Sequence, residues 1–405
     1  MEYITVQEAA EKWNISVRLI QRYCMSGRIE GAQKFSGAWA IPAGTPKPVD
    51  LRKTKARSES NNVPSPFSPA FSASMQSFLP LINAAFTPGH CMEYIEGIQN
   101  VHRRNIALAE YYYFSGRAEE SARLSERYIS HPETALCLSG CMLYAYANLT
   151  LGRIQRARYA LAEIRSAVSN LQKDAPPQLK TMTIFTAVAA RVLLHLPLPQ
   201  DVDNLQEFIR YLPPGLRIFA LYVQAHRTYL QGDYGKSVGI VETAFAMGAE
   251  QYPIPAIYMH LAAVMGYMSL KQSDRAQAHL LRAWEMARPD DLIEGFGEHH
   301  GLLGGMLEAV IKPGWPEDFK RIIDITYRFS AGWRKVHNPV TGHDVADNLT
   351  TTEFATAMLA ARGWTNAEIA AHLGISPNTV KQYISSALQK LNIRQRKELK
   401  KFMLR

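Results

Sequence analysis

Toward the end of the chain, apolar residues recur every three or four positions and are interrupted by capping signals, a pattern that predicts consecutive short helices. Thr365 stands three residues before Glu368, the spacing at which each side chain bonds the other's backbone N–H, so one helix covers residues 366–372. Gly374 lets the chain turn at positive φ. Ser376 and Pro377 then supply an N-cap and a preorganised first residue for the next helix, residues 377–391. On that helix Val380, Ile384, Leu388 and Leu391 share a face that would bury against Ile369, Ala370 and Leu373. The opposite face offers Asn378, Thr379, Lys381, Gln382, Ser385 and Ser386, hydrogen-bonding side chains near a helix N-terminus that already favours phosphate. In a major groove, Lys381 and Gln382 would reach base edges.

The N-terminal end repeats this logic with different parts. Thr5 and Glu8 form a capping box, Ser16 caps the following helix, and Ala9, Ala10, Trp13, Ile15, Ile20 and Tyr23 can form a miniature core. Arg18, Gln21 and Arg22 project from the second helix. The period then changes to two: residues 32–35, a Ser36-Gly37 turn and residues 38–41 read as a hairpin carrying Lys34. Residues 45–77, rich in Pro, Ser, Asn and basic side chains, lack a sustained apolar period and read as a flexible linker.

Residues 78–330 return to amphipathic helices set in a common frame. Its marks are Phe114-Ser115-Gly116, Leu151-Gly152, Gln231-Gly232 and Leu270-Lys271, spaced 36, 80 and 39 residues apart by their last members. Seven residues before each stand Ala109, Ala145, Ala225 and Val264, and five after stand Ser121, Ala157, Ser237 and Ala276, where paired helices must approach closely. The wide middle gap leaves room for a further helix pair across residues 179–212. Aromatics such as Tyr113, Tyr222 and Tyr258 fall at helical spacing and are expected mostly in the core. Residues 331–348, with Gly332, Pro339 and Gly342, read as a hinge.

The C-terminal residues 349–405 resemble the LuxR-type helix-turn-helix family of bacterial transcription regulators, through Leu349-Thr350, Glu353, Gly363, Asn366, Glu368-Ile369-Ala370, Leu373, Ile375-Ser376, Thr379-Val380-Lys381 and Lys390-Leu391. The resemblance implies a four-helix domain with residues 377–391 as recognition helix and a final helix from about Arg394 available for dimerisation. Its implied DNA contacts are Thr365, Asn378, Thr379, Lys381, Gln382, Ser385 and Lys390. Residues 1–44 resemble the excisionase or MerR-like winged helix, which implies DNA contacts from Ser16, Arg18, Gln21 and Arg22, and from Lys34 on the wing. The middle resembles tetratricopeptide repeats, implying a TPR-like solenoid whose concave surface takes a peptide, protein or small ligand.

Charge agrees with this partition. Residues 1–57 hold 10 Lys/Arg against 5 Asp/Glu, residues 349–405 hold 9 against 3, and the remainder 26 against 28, so nets of +5, +6 and −2 make up the total of +9. The excess sits where phosphate neutralisation requires it. Cys24, Cys91, Cys137 and Cys141 show no CxxC spacing and read as reduced, buried thiols. No run spans a bilayer, which points to a soluble intracellular protein without membrane contact. Gly235-Lys236-Ser237 lacks the glycine and the preceding strand of a phosphate loop, and Glu298-His299-His300 lacks a third spaced ligand and reads as a solvated loop or helix end. No cofactor, metal or enzymatic activity is expected.

The expected architecture is mainly α: a TPR-like solenoid between an N-terminal winged helix and a C-terminal four-helix LuxR-type domain. The function it implies is that of a bacterial one-component transcription regulator acting on double-stranded DNA as a homodimer. A signal or partner at the solenoid would control binding, and contact with the solenoid could hold the C-terminal module closed. Two rivals make the solenoid a protein-interaction adaptor, or the whole chain a DNA architectural or recombination accessory factor.

Overall fold

The computed structural model describes residues 3–13, 15–25, 29, 31–35, 38–47, 74–172, 174–197, 205–341 and 349–403. They fall into two compact units, one within residues 1–65 and one within residues 66–405.

The first unit opens with strand β1 (Tyr3–Thr5), followed by α1 (Val6–Trp13) and α2 (Val17–Met25). Thr5 and Glu8 make the expected reciprocal cap: the Thr5 N–H donates to Glu8 Oε2 at 2.7 Å and the Glu8 N–H to Thr5 Oγ1 at 3.2 Å. Ala9, Trp13, Ile20 and Tyr23 are buried, joined by Cys24, Ile29 and Ile41, while Ala10 and Ile15 are half-buried. The hairpin strands β2 (Gln33–Phe35) and β3 (Ala38–Pro42) pair antiparallel with Lys34 opposite Trp39; their Ser36-Gly37 turn lies outside the described residues. β1 adds a third strand on the far side of β3, Ile4 opposite Ile41. Three residues are too few for an alternation to be read in sequence. The unit also extends past residue 44, since Lys47 Nζ donates to the Trp13 carbonyl at 2.5 Å.

The second unit begins before the expected linker end, with Met75 already in its core. Its helices are α3 (Cys91–Glu96), α4 (Val101–Phe114), α5 (Ala118–Ser125), α6 (Thr134–Thr150), α7 (Ile154–Ser169) and α8 (Pro177–Leu193). They continue with α9 (Pro214–Leu230), α10 (Tyr234–Ala246), α11 (Pro253–Ser269), α12 (Ser273–Ala287), α13 (Glu294–His299) and α14 (Pro316–Thr341). α15 (Thr351–Ala361), α16 (Asn366–Leu373) and α17 (Pro377–Lys390) complete it, before a short helical tail.

One turn recurs between α4 and α5, α6 and α7, α9 and α10, and α11 and α12. Gly116, Gly152, Gly232 and Lys271 take φ between 59° and 83°. The next N–H then reaches back five residues: Arg117 to Tyr112 and Arg153 to Asn148 at 2.8 Å, Asp233 to Thr228 at 3.2 Å, Gln272 to Tyr267 at 2.9 Å. All eight small residues of the sequence frame are fully buried. Ser121 and Ser237 donate to the Ala109 and Ala225 carbonyls at 2.9 and 2.8 Å, so the hydroxyls are satisfied where the helices touch. Gly235-Lys236-Ser237 is therefore the start of α10, capped by Asp233, which accepts from the Lys236 N–H at 3.1 Å.

The pair expected across residues 179–212 is only half made. α8 is a full helix and ends in the same turn, with His195 at φ 52° and the Leu196 N–H bonded to the Arg191 carbonyl at 2.7 Å. Past residues 198–204, which lie outside the described set, only Leu205–Phe208 is α-helical before Pro213 and Pro214 restart the chain as α9.

The hinge expected from residue 331 is also corrected. α14 continues through Gly332 and Pro339 to Thr341, and only residues 342–348 lie outside the described set. Gly332 does not loosen the chain: a Cβ there would overlap the Leu149 carbonyl oxygen, so its missing side chain lets α14 lie directly on α6. Asp290 and Asp291 likewise act across the fold. Asp290 accepts from the Gly89 and Cys91 N–H groups at 2.6 and 3.0 Å, capping α3, and Asp291 pairs with Arg321 at 2.6 Å. No helix among the described residues is long and apolar enough to cross a membrane.

Replacing Gly332 by Ala should force α14 off α6 at a cost of about 2 kcal/mol or more. The expected outcome is a lower urea midpoint with an unchanged slope; an unshifted midpoint would show that the helices do not meet there.

Candidate nucleic-acid interface

Local sequence builds the C-terminal helices almost unaided. Thr350 caps α15 in a reciprocal box with Glu353, and Thr365 caps α16 in another with Glu368. Gly374 closes α16 at φ 65°, and Ser376 accepts from the Thr379 N–H at 3.0 Å to start α17 at Pro377. Val380 and Ile384 are buried against Ile369 and Ala370, with Ala387 completing the row, while Leu388 and Leu391 are only partly covered.

What orients α17 is an ion pair that the pattern did not reveal. Glu353 is buried, and its carboxylate accepts from the Thr350 N–H at 2.8 Å, from Ser386 Oγ at 2.6 Å and from Lys390 Nζ at 2.9 and 2.7 Å. Burial opposes its ionisation, but Lys390, Ser386 and Thr350 together hold the carboxyl down at about 2. Lys390, one of the expected DNA contacts, pairs with Glu353, because a buried carboxylate needs a cation, while its side chain stays partly open to solvent. Thr365 serves its cap, and the Thr379 hydroxyl lies 2.8 Å from that of Ser376 on a half-buried residue. Asn378, Lys381, Gln382 and Ser385 are all exposed on one face of α17.

The final segment also differs from expectation. Arg396–Leu399 is a 3-10 turn and Lys400–Met403 a four-residue helix, with Leu399 fully buried and Phe402 packed inward. Arg396 ties it down by donating to Asn366 Oδ1 at 2.6 Å and to the Trp364 carbonyl. Its apolar residues are used by the chain's own core.

The module is docked on the helical body. Arg362 Nη2 donates to the Tyr229 hydroxyl at 2.6 Å and the Leu302 carbonyl at 2.7 Å, and Lys271 Nζ donates to the Gly363 carbonyl at 3.1 Å. Gly301, Gly304 and Gly305 make the approach possible: a Cβ on Gly301 would sit 2.6 Å from the Phe354 ring, one on Gly305 2.8 Å from Leu373, and one on Gly304 against the Arg362 guanidinium. The sequence signal was there, three glycines in an apolar run, but without a partner it reads as an ordinary loop. The dock uses α15, α16 and Phe402 and leaves the polar face of α17 uncovered.

Residues 347–403 match the family described as bacterial regulatory proteins, luxR family. Those residues are a LuxR-family helix-turn-helix domain. The match supports a DNA-binding transcription regulator, from a family of regulators rather than enzymes. No curated protein and no solved structure matches the chain.

In the first unit Ser16, Arg18, Gln21 and Lys34 are exposed, and Arg22 lies on α2 with its side chain outside the described residues. Glu298 and His299 end α13, the helix-end alternative of the sequence reading, but Glu298 is half-buried and His299 and His300 are buried rather than solvated. His300 is buried 2.7 Å from Glu308, and His299 accepts from the Tyr222 hydroxyl at 2.8 Å. Among the described residues no cluster of His, Cys, Asp or Glu is placed to hold a metal. The Cys137 and Cys141 thiols both donate to the Ile129 carbonyl, at 3.3 and 3.5 Å.

Replacing Lys390 by Met should destabilise the C-terminal module by about 2–3 kcal/mol at neutral pH by stranding Glu353. Since the fold depresses this carboxyl from 4.5 to about 2, its contribution is complete above pH 4.5 and is lost as pH falls toward 2. The gap between wild type and variant in urea titrations should therefore narrow over that window; a pH-independent gap would remove the ion pair from the account.

Proposed function

We propose that this chain is a one-component bacterial transcription regulator in which α17 enters the major groove and Asn378, Lys381, Gln382 and Ser385 read base edges and adjoining phosphates. The observation that carries the reading is the luxR-family match over residues 347–403 combined with the uncovered polar face of α17. A docked module with that face open is competent to meet a duplex without first leaving the body, which argues against the solenoid simply holding it closed. The N-terminal unit is a second, winged-helix DNA module, with Arg18 and Gln21 on α2 and Lys34 on the hairpin as its contacts; their exposure and the net of +5 over residues 1–57 support this. The recurring turn and buried small residues of α4–α12 support a TPR-like body for sensing or assembly. A homodimer would present two α17 helices to paired half-sites, using a surface other than Leu399 and Phe402.

In an electrophoretic assay with DNA upstream of its own gene, Lys381→Ala should abolish specific binding. Wild-type affinity should fall about a thousandfold between about 50 and about 200 mM salt if roughly six phosphates are neutralised. Binding that survives the substitution and ignores salt would refute the reading.

A further inference from the structure

A cavity of about 170 Å³ lies between the helical body and the C-terminal helices. Tyr222, His299 and Trp333 line it from the body, and Phe354, Met358 and Phe402 from the C-terminal side. We infer that it binds a small neutral aromatic molecule bearing one hydrogen-bonding group, and that occupancy holds the C-terminal helices against the body. Size sets the first limit: an apolar cavity of about 150 Å³ takes benzene, so this one has room for a substituted ring or a compact fused pair.

The lining sets the rest. Trp333, Phe354 and Phe402 line the cavity with aromatic rings; Trp333 is stacked on one face by His337 at 4.3 Å, and His195 stands edge-on to it with centroids 5.3 Å apart. The body delivers His195 from the turn after α8, at φ 52°, where three of the four corresponding turns carry glycine. His195 and His226 share one hydrogen bond, Nε2 to Nε2 at 3.1 Å, and His195 Nδ1 is buried without a partner among the described residues. His299 Nδ1 donates to the Gly295 carbonyl at 2.7 Å, leaving Nε2 to accept from Tyr222. Burial pushes His195 down to about 3 and His299 to about 4, so these imidazoles are neutral and combine donor with acceptor. The charged residues on the lining, Glu298 and Arg334, have opposite signs, and Glu298 already accepts from the Tyr113 and Tyr258 hydroxyls. Such a set gives an ion no net attraction to offset its desolvation.

Because the two walls belong to the body and the module, a ligand touching both stabilises their contact by linkage. The proposal deepens the sensing role suggested above, and its tests need no DNA, so its failure leaves the DNA-binding reading standing. Calorimetry on the full chain should show saturable one-to-one binding of phenol or indole, with benzoate and cyclohexanol at least roughly tenfold weaker. In a methyl-labelled methionine spectrum of the wild-type chain, the Met358 signal, assigned with Met358→Leu, should shift with the bound fraction, and amide exchange along α15 should slow. Ser330→Phe, which fills the cavity from α14, should abolish binding while Ser330→Ala retains it. Absence of saturable heat with both aromatics, an unmoved Met358 methyl, or unchanged α15 exchange on binding would each overturn the proposal.

Discussion

Glu353 joins two helices of the C-terminal module. It belongs to α15 and completes that helix's cap, yet its carboxylate is satisfied by Ser386 and Lys390 from α17. The charge is buried, so it needs its cation, and the pair ties α15 to α17 alongside their apolar packing. Val380, Ile384 and Ala387 are buried on one side of α17, and Asn378, Lys381, Gln382 and Ser385 are exposed on another.

The same economy governs the dock. α15 faces the body on one side and α17 on the other, so whatever fills or tightens the contact with the body acts on the helix to which α17 is tied. Lys271 shows how the body was adapted to this. In three of the four recurring turns the left-handed position is glycine, but here a lysine accepts that conformation and its ammonium reaches the Gly363 carbonyl and lies 3.6 Å from Glu368. Arg362 crosses in the other direction to Tyr229 and Leu302. The buried tyrosines and histidines behind the cavity extend this contact into the body, where Tyr113 and Tyr258 hydroxyls meet Glu298. Burial of these polar groups together is tolerable only because most are bonded to one another.

Much of this was legible in the residues. Capping boxes at Thr5 and Thr365, the Ser376-Pro377 start, and the spaced small residues of the helical body are all local chemistry, and each appears where it was read. Residues whose meaning depends on a distant partner were misread. Gly332 looked like a hinge and is a close contact with Leu149, and His299-His300, read as a solvated loop or helix end, lie at the end of α13 but are buried. By itself the sequence determined where helices begin, where they turn and which face is apolar, since those choices rest on hydrogen bonds within a few residues. Only the tertiary structure decided which glycines are for approach, which charges face inward and where a cavity remains, because desolvation and packing are set by groups far apart in the chain.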